Sequence, residues 1–297
     1  MSHLHDDKIK ALEEQANRIR ISLIESLIEA KSGHSAGPLG MADIFTAFYF
    51  HILNHNPKKP DWEDRDRLIL SNGHICPVQY ATLAHAGYFP IEELKTLRKI
   101  NSRLQGHPHR GVLPGIETTS GPLGSGISQA IGVALARNLD NKKYRVYCLT
   151  SDGEQQEGNT WEAVMFAGKM GFKMNHLTVV VDRNNIQIDG NTEDVMPLEP
   201  FVEKYIANNW HVLEVDGHNI EAFIDATKEA EAIYEKPTVI IAHTIPGKGV
   251  SFMEQDYRWH GAPPGKGPDD TISKKDQAKK ALDELRTLGG RIESEHN

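Results

Sequence analysis

Two short apolar runs with a helical repeat between them do most to limit how this chain can fold. The first, Tyr144 to Thr150, and the second, Leu177 to Val181, read as buried strands. Between them, Trp161, Val164, Met165 and Gly168 fall at helical spacing. Ser151, Asp152 and Gly153 leave the first strand, and Asn184 and Asn185 leave the second. In a parallel sheet both side chains emerge at the carboxyl edge, where open α/β sheets bind ligands. Asp and Asn offer hard oxygens, and Mg²⁺ takes few protein ligands alongside substrate phosphates. One local reading is therefore a Mg²⁺–diphosphate site. The other is an Asp-Gly turn and an Asn-Asn turn holding no ligand, since such turns are common.

The remaining segments repeat the alternation. A first helix, which Asp6 and Asp7 can cap, carries apolar residues at Ile9, Leu12, Ala16, Ile19, Leu23 and Leu27. Gly33 to Gly40 is too rich in Gly and Pro to read as helical, and a helix apolar on nearly every side follows from Met41 to about Leu53. Arg67 to Leu70 reads as a strand and Pro77 to Ala86 as a helix. Residues 101–119 read as a loop of a length that is uncommon unless functional. Gly121 to Gly126 opens a helix through Ala136, and strands at Trp210 to Val215 and Thr238 to Ala242 flank a helix at Ile220 to Ile233. The fold class is α/β, a mostly parallel sheet with helices on both faces. Residues 1–265 read as one α/β domain, and 266–297 as a charged C-terminal extension.

A formal charge of −8 with no long basic run speaks against non-specific nucleic-acid binding. Cys76 and Cys148 lie in or beside apolar segments and read as reduced, packed thiols of a cytoplasmic chain. The N-terminal residues lack the basic start and apolar core of a signal peptide, and no apolar run approaches the roughly 20 residues that span a bilayer. No membrane association is expected. Four histidines, His34, His74, His107 and His260, each stand beside Gly or within a Gly/Pro loop. Singly, each reads as a turn residue making a local hydrogen bond. Their spacings fit no zinc pair one helical turn apart.

Taken together, these segments resemble the thiamine-diphosphate-binding portion of the transketolases, in matching order from about residue 10 to 265. Asp152-Gly153, Glu157-Gly158, Asn184, Ile186 and Ile188-Asp189-Gly190 carry the cofactor motif. The loops Gly33-His34, Ser71 to His74, Gly106-His107-Pro108 with Thr119 to Gly124, and His260 to Pro263 match the four histidine loops of that family. The resemblance implies that Asp152, Asn184 and the carbonyl of Ile186 hold Mg²⁺ or another divalent cation such as Ca²⁺ or Mn²⁺. It further implies that His74 and His260 contact the diphosphate, that His34, His107 and His260 act in catalysis, and that Gly153 offers its N–H to the diphosphate. The backbone of Gly121, Pro122 and Leu123 would bind the aminopyrimidine. For Glu157 and Glu162 the residue-level reading is a helix N-terminus favouring acids; the resemblance adds a place near a dimer contact, linking two cofactor sites. Two departures stand out: Ser151 where the family usually has Gly, and Ser35-Ala36-Gly37 where it commonly has Pro, Gly, Ala.

The implied activity is transfer of a two-carbon ketol unit between sugar phosphates, a transferase step of the pentose phosphate pathway. In the family, the glutamate that activates the cofactor lies in a second α/β domain, and the chain ends before any such domain. The expectation is therefore an N-terminal subunit of a split transketolase. A separate C-terminal chain would complete it, and self-association would give a two-plus-two assembly. The alternatives are a subunit of another thiamine-diphosphate enzyme (a pyruvate-using synthase, or a transketolase-like enzyme for an unusual ketose) and a non-catalytic regulatory subunit of the same fold.

Overall fold

In the computed structural model, which describes residues 5–295, the chain enters through helix α1 (Asp6–Ala30). A short helix α2 (Ala36–Gly40) and a buried helix α3 (Ala42–Ala47) follow, the latter ending in a π turn at Phe48–Ile52. Strand β1 (Arg67–Leu70) leads through a tight turn at Gly73–Ile75 into α4 (Cys76–His85). Then α5 (Ser125–Leu139), β2 (Val146–Ser151), α6 (Gly158–Met170) and β3 (Leu177–Arg183) build the central unit. A hairpin of β4 (Ile186–Gln187) and β5 (Gly190–Asn191) and two short helices, α7 (Thr192–Val195) and α8 (Phe201–Ala207), come next. The chain finishes with β6 (His211–Asp216), α9 (Ile220–Ala232), β7 (Thr238–His243) and α10 (Lys274–Glu295). Residues 1–4 of the expected domain and 296–297 of the expected extension lie outside the described residues.

The five long strands form a parallel sheet in the order β1-β2-β3-β7-β6. Their side chains alternate between two cores, as the twofold period of a strand requires. Leu68, Leu70, Tyr147, Leu149, Val180 and Ile240 pack with α1, α3, α4 and α9 on one face. Ile69, Val146, Cys148, Val179, Val181 and Ile241 pack with α5, α6 and α8 on the other. Burial on both faces is why β1, β2, β3 and β7 read as apolar runs, whereas the edge strand β6 is only partly buried. The register sets Ser151 opposite Asp182, and Asp182 opposite Ala242, so β2, β3 and β7 end level at one edge.

Two local expectations are corrected. Residues 33–40 are not all loop, because Ala36–Gly40 is a helical turn. Pro38 lies in its first turn, where no intrahelical N–H bond is lost. Gly37 and Gly40 are there for closeness: a Cβ would stand 2.9 Å from Ile75 Cγ2 and 3.0 Å from the Ile245 carbonyl oxygen respectively. At the N-terminus of α1 the cap position is His5, and Asp6 and Asp7 occupy the first turn without capping it; there they complement the helix dipole.

The charged segment after 265 contains α10, which lies along α1. Ala281 and Leu285 are buried there, Asn17 Nδ2 donates to the Leu285 carbonyl (2.9 Å), and Glu284 accepts from the backbone and hydroxyl of Ser251 (2.6 and 2.9 Å).

Candidate active site

The level ends of β2, β3 and β7, together with the turn after β1, bring the motif residues to one rim of the sheet. Asp152 follows β2 directly and is wholly buried. Its Oδ1 accepts from Gly153 N–H (2.7 Å), and its Oδ2 from Asn185 N–H (2.6 Å). Arg183 Nη1 stands 3.4 Å from the same Oδ2. Burial pushes the carboxyl of Asp152 up to about 6, against the pull of Asn185 N–H and Arg183. Asn184, also buried, donates from Nδ2 to Asp182 Oδ2 (2.8 Å) and accepts Ile186 N–H on Oδ1 (3.0 Å). Asp182 is fixed in turn by the Thr244 hydroxyl; burial, and next the charge of Asp152, push its carboxyl up to about 7. The carboxylate of Asp152 and the 184–186 segment therefore face each other, with the amide of Asn184 oriented by a buried acid behind it.

Ser151 is the last residue of β2 and pairs as a strand residue with Asp182. It is not among the residues at positive φ, so nothing in the backbone there calls for glycine.

Three of the four histidines form a cluster. Ring centroids of His34 and His74 are 4.9 Å apart, those of His74 and His260 5.1 Å, and those of His34 and His260 5.5 Å. His107 joins them from the long loop, its ring 3.8 Å from where a Cβ of Gly121 would lie. Gly121 sits at φ +152°, a conformation that L side chains rarely adopt. All four rings border a cavity of about 370 Å³ together with Gly121, Leu123, Gly153 and Glu157. Burial lowers His34 to about 3, with His260 adding to it, and lowers His260 to about 4. His74 is driven well down by burial and the neighbouring rings, and His107 is lowered by burial and then by Arg98. The cluster is thus neutral at physiological pH, each imidazole having one donor and one acceptor nitrogen. Nδ1 of His34 and Nδ1 of His260 are buried with no hydrogen-bond partner among the described residues. A polar ligand in the cavity would supply what these atoms lack.

Of the expected residues, Asp152, Asn184 and Ile186 meet at the ends of β2 and β3, and the four histidines meet beside them. Glu157 reaches the cavity, whereas Glu162 lies one turn along α6 on its exposed side and does not border it. Gly153 N–H is engaged by Asp152, so it serves a diphosphate only if that bond is given up. Ser35 donates its hydroxyl to the Ala262 carbonyl and so joins the His34 loop to the His260 loop, a bond that proline could not make. Glu154, Asp182 and Thr244 went unread in the sequence. Glu154 and Asp182 stand two residues from Asp152 and Asn184, a nearness that could have marked them, whereas Thr244, 62 residues beyond Asp182, has no such signal.

The hard-oxygen set of Asp152, Asn184 and the Ile186 carbonyl suits Mg²⁺ or Ca²⁺, and the unpartnered imidazole nitrogens suit a polar ligand beside it. The residues present therefore fit a metal-bound diphosphate cofactor. Residues 12–280 match the family model described as transketolase, thiamine diphosphate binding domain. The chain is 43% identical over 249 residues to the 6-deoxy-6-sulfo-D-fructose transketolase subunit of a Clostridium species, covering 84% of this chain and 90% of that one. It is 40% identical over 257 residues to an apulose-4-phosphate transketolase subunit from Phocaeicola vulgatus, covering 86% and 90%. Among solved structures it superposes on transketolase from Leishmania mexicana with a TM-score of 0.81 at 33% identity, spanning 96% of this chain but 45% of that enzyme.

Proposed function

The chain belongs to the transketolase family, and from that premise we propose that it is the diphosphate-binding subunit of a two-chain transketolase. The observation that carries the proposal is that four neutral histidines, Gly153 and Ile186 border one cavity, with Asp152 and Asn184 directly behind Gly153 and Ile186 and joined through Asn185 N–H. Asp152, Asn184 and the Ile186 carbonyl would hold the cation, Mg²⁺ or a similar divalent ion. His74 and His260 would bind the diphosphate, and Gly121, Pro122 and Leu123 the aminopyrimidine. Thiamine diphosphate bound there supplies the nucleophilic carbon that accepts a two-carbon ketol unit from a ketose phosphate. His34, His107 and His260 would meet the substrate hydroxyls and move protons during carbon–carbon cleavage, each neutral imidazole offering one acceptor nitrogen and one N–H. Glu157 and Glu162 would lie toward a second copy of the chain.

The two relatives that this chain spans almost whole are both named as subunits, whereas it spans less than half of the transketolase from Leishmania mexicana. This supports a separate C-terminal chain that would complete the site; the assembly would be two-plus-two and cytoplasmic and would serve sugar-phosphate interconversion. No helix among the described residues is long and apolar enough to cross a membrane. Ketol transfer from a ketose phosphate to an aldose phosphate is expected from the mixed subunits and not from this chain alone. Equal turnover by the chain alone would overturn the two-chain proposal. The donor is left open by a specific observation: Ser35, bonded to Ala262, borders the substrate histidines where the family commonly has proline. A panel of xylulose 5-phosphate, apulose 4-phosphate and 6-deoxy-6-sulfofructose would rank the donors.

His107 separates substrate chemistry from cofactor binding. It comes from the long loop, and it is the least buried of the four histidines. His107→Ala is expected to lower kcat by about a hundredfold or more while changing thiamine diphosphate affinity by less than about threefold. Equal losses in both would count against a substrate-side role.

A further inference from the structure

We infer that Glu154 is a positioning residue: a buried carboxyl group that fixes the wall of the cleft on which the aminopyrimidine of the cofactor would rest. The inference deepens the proposed function and rests on it. Glu154 is fully buried, on the turn Gly153–Gln156 that follows Asp152. Its Oε1 accepts from Gly124 N–H (2.6 Å) and from the hydroxyl of Ser71, and its Oε2 accepts from Ser151 N–H (3.2 Å). Ser71 Oγ passes the link on by accepting Gly126 N–H (3.0 Å). The Thr160 hydroxyl donates to the Glu154 carbonyl (3.1 Å) and ties the turn to α6.

One side chain thus gathers three segments that are far apart in the sequence. Ser71 lies three residues before His74, Gly124 directly follows Gly121-Pro122-Leu123, and Ser151 directly precedes Asp152. The junction has no slack. A Cβ on Gly126 would stand 2.2 Å from Ser71 Cβ, and one on Gly124 would stand 2.2 Å from Asn159 Oδ1. Gly124 also sits at φ +78°, so the 121–124 loop can neither carry a side chain there nor settle closer. Glu154 borders the cavity, but its carboxyl oxygens are taken up by protein donors, so its proposed action on the cofactor is through the loop it holds. Without it, Gly124 N–H, Ser151 N–H and the Ser71 hydroxyl would be buried without their acceptor, and the 121–124 loop would lose its fixed seat.

The test compares two ligands that share the diphosphate, only one of which carries the thiamine moiety with its aminopyrimidine. Affinities for Mg²⁺–thiamine diphosphate and for Mg²⁺–pyrophosphate are measured by calorimetry on the full chain, together with the partner subunit that restores turnover. Glu154→Ala is expected to weaken thiamine diphosphate about tenfold or more while leaving pyrophosphate within about threefold, and Glu154→Gln, which keeps an acceptor oxygen, to recover most of the loss. Should Glu154→Ala fail to fold, Ser71→Ala removes only the hydroxyl between Glu154 and Gly126, and the same selective loss is expected at smaller size. Parallel losses for both ligands, or no loss, would overturn the role of Glu154 while leaving the proposed function intact. If the unaltered protein gains no affinity from the thiamine moiety over pyrophosphate, the proposed function falls, and this inference falls with it.

Discussion

Replacing Asp152 with alanine is expected to weaken thiamine diphosphate binding about a hundredfold or more in the presence of Mg²⁺, and to leave the weak residual binding indifferent to the metal. Among the three proposed ligands Asp152 alone carries charge; Asn184 and the Ile186 carbonyl are neutral. A hard divalent ion binds through such carboxylate oxygens and through substrate phosphates. Loss of residues that merely orient metal ligands already costs roughly ten- to a hundredfold in metal affinity, and loss of the charged ligand itself should cost at least as much. Removing the carboxylate also leaves Arg183, now short of one buried partner, beside the place where the cation would sit. Arg183 keeps Glu193 (2.7 Å) and Glu199 (2.9 Å) as partners, so the loss falls chiefly on the cation, which is left without its charged ligand. Asp152→Asn keeps the shape and removes only the charge, so it should fall close to the alanine variant in metal dependence. Calorimetric titration of thiamine diphosphate with Mg²⁺ and with a chelator, on the unaltered chain and both variants, decides the matter. If the unaltered chain binds equally well with and without the metal, Asp152 is a turn residue and no more.

How much of this was open to reading from the sequence depended on where each residue finds its partners. Strands β1, β2, β3 and β7 announce themselves because burial on both faces demands uninterrupted apolar residues. The motif residues are legible for a related reason: Asp152 and Asn184 sit beside strand ends, so their placement follows once the sheet is parallel. Helix α2 was not legible, since Gly37 and Gly40 serve close contacts with Ile75 and Ile245, which no local propensity expresses. Helix α8 and the β4–β5 hairpin are too short to show a period. The residues behind the site were hidden most fully. Glu154 reaches back 83 residues to Ser71, and Asp182 is held by Thr244 from 62 residues away. Such pairs become visible only when the fold has brought them together.

A still longer reach leads to the largest stability effect expected. Arg20 on α1 and Asp43 on α3 are both buried, joined at 3.0 Å (Nη1 to Oδ1) and 2.5 Å (Nη2 to Oδ2), with Arg20 Nε also donating to the Leu39 carbonyl (3.1 Å). His218, from the turn after β6, accepts Ile245 N–H on Nε2 (2.7 Å), which leaves its Nδ1–H to donate to Asp43 Oδ2 (2.7 Å). Burial alone would raise the Asp43 carboxyl, yet Arg20 and His218 outweigh it and hold Asp43 down to about 2. Asp43→Ala would strand the Arg20 guanidinium in the interior, and removing one partner of a buried pair costs about 3–5 kcal/mol. Replacing both, as Arg20→Met with Asp43→Leu, should recover much of that, because no charge is then left uncompensated. The pH dependence carries its own signature. A carboxyl held below its ordinary 3.8 contributes stability above that value and loses it as pH falls toward 2. The unaltered chain should therefore lose about 2 kcal/mol more than the double variant between pH 5 and pH 2. Ile245 follows Thr244, which holds Asp182 behind Asn184, so Asp43→Ala should also loosen the proposed metal site. Urea unfolding at pH 7 and at several acid pH values would measure each of these terms. An Asp43→Ala variant as stable as the unaltered chain would show that the Arg20–Asp43–His218 network does not fasten α1 and α3 to the turn after β6.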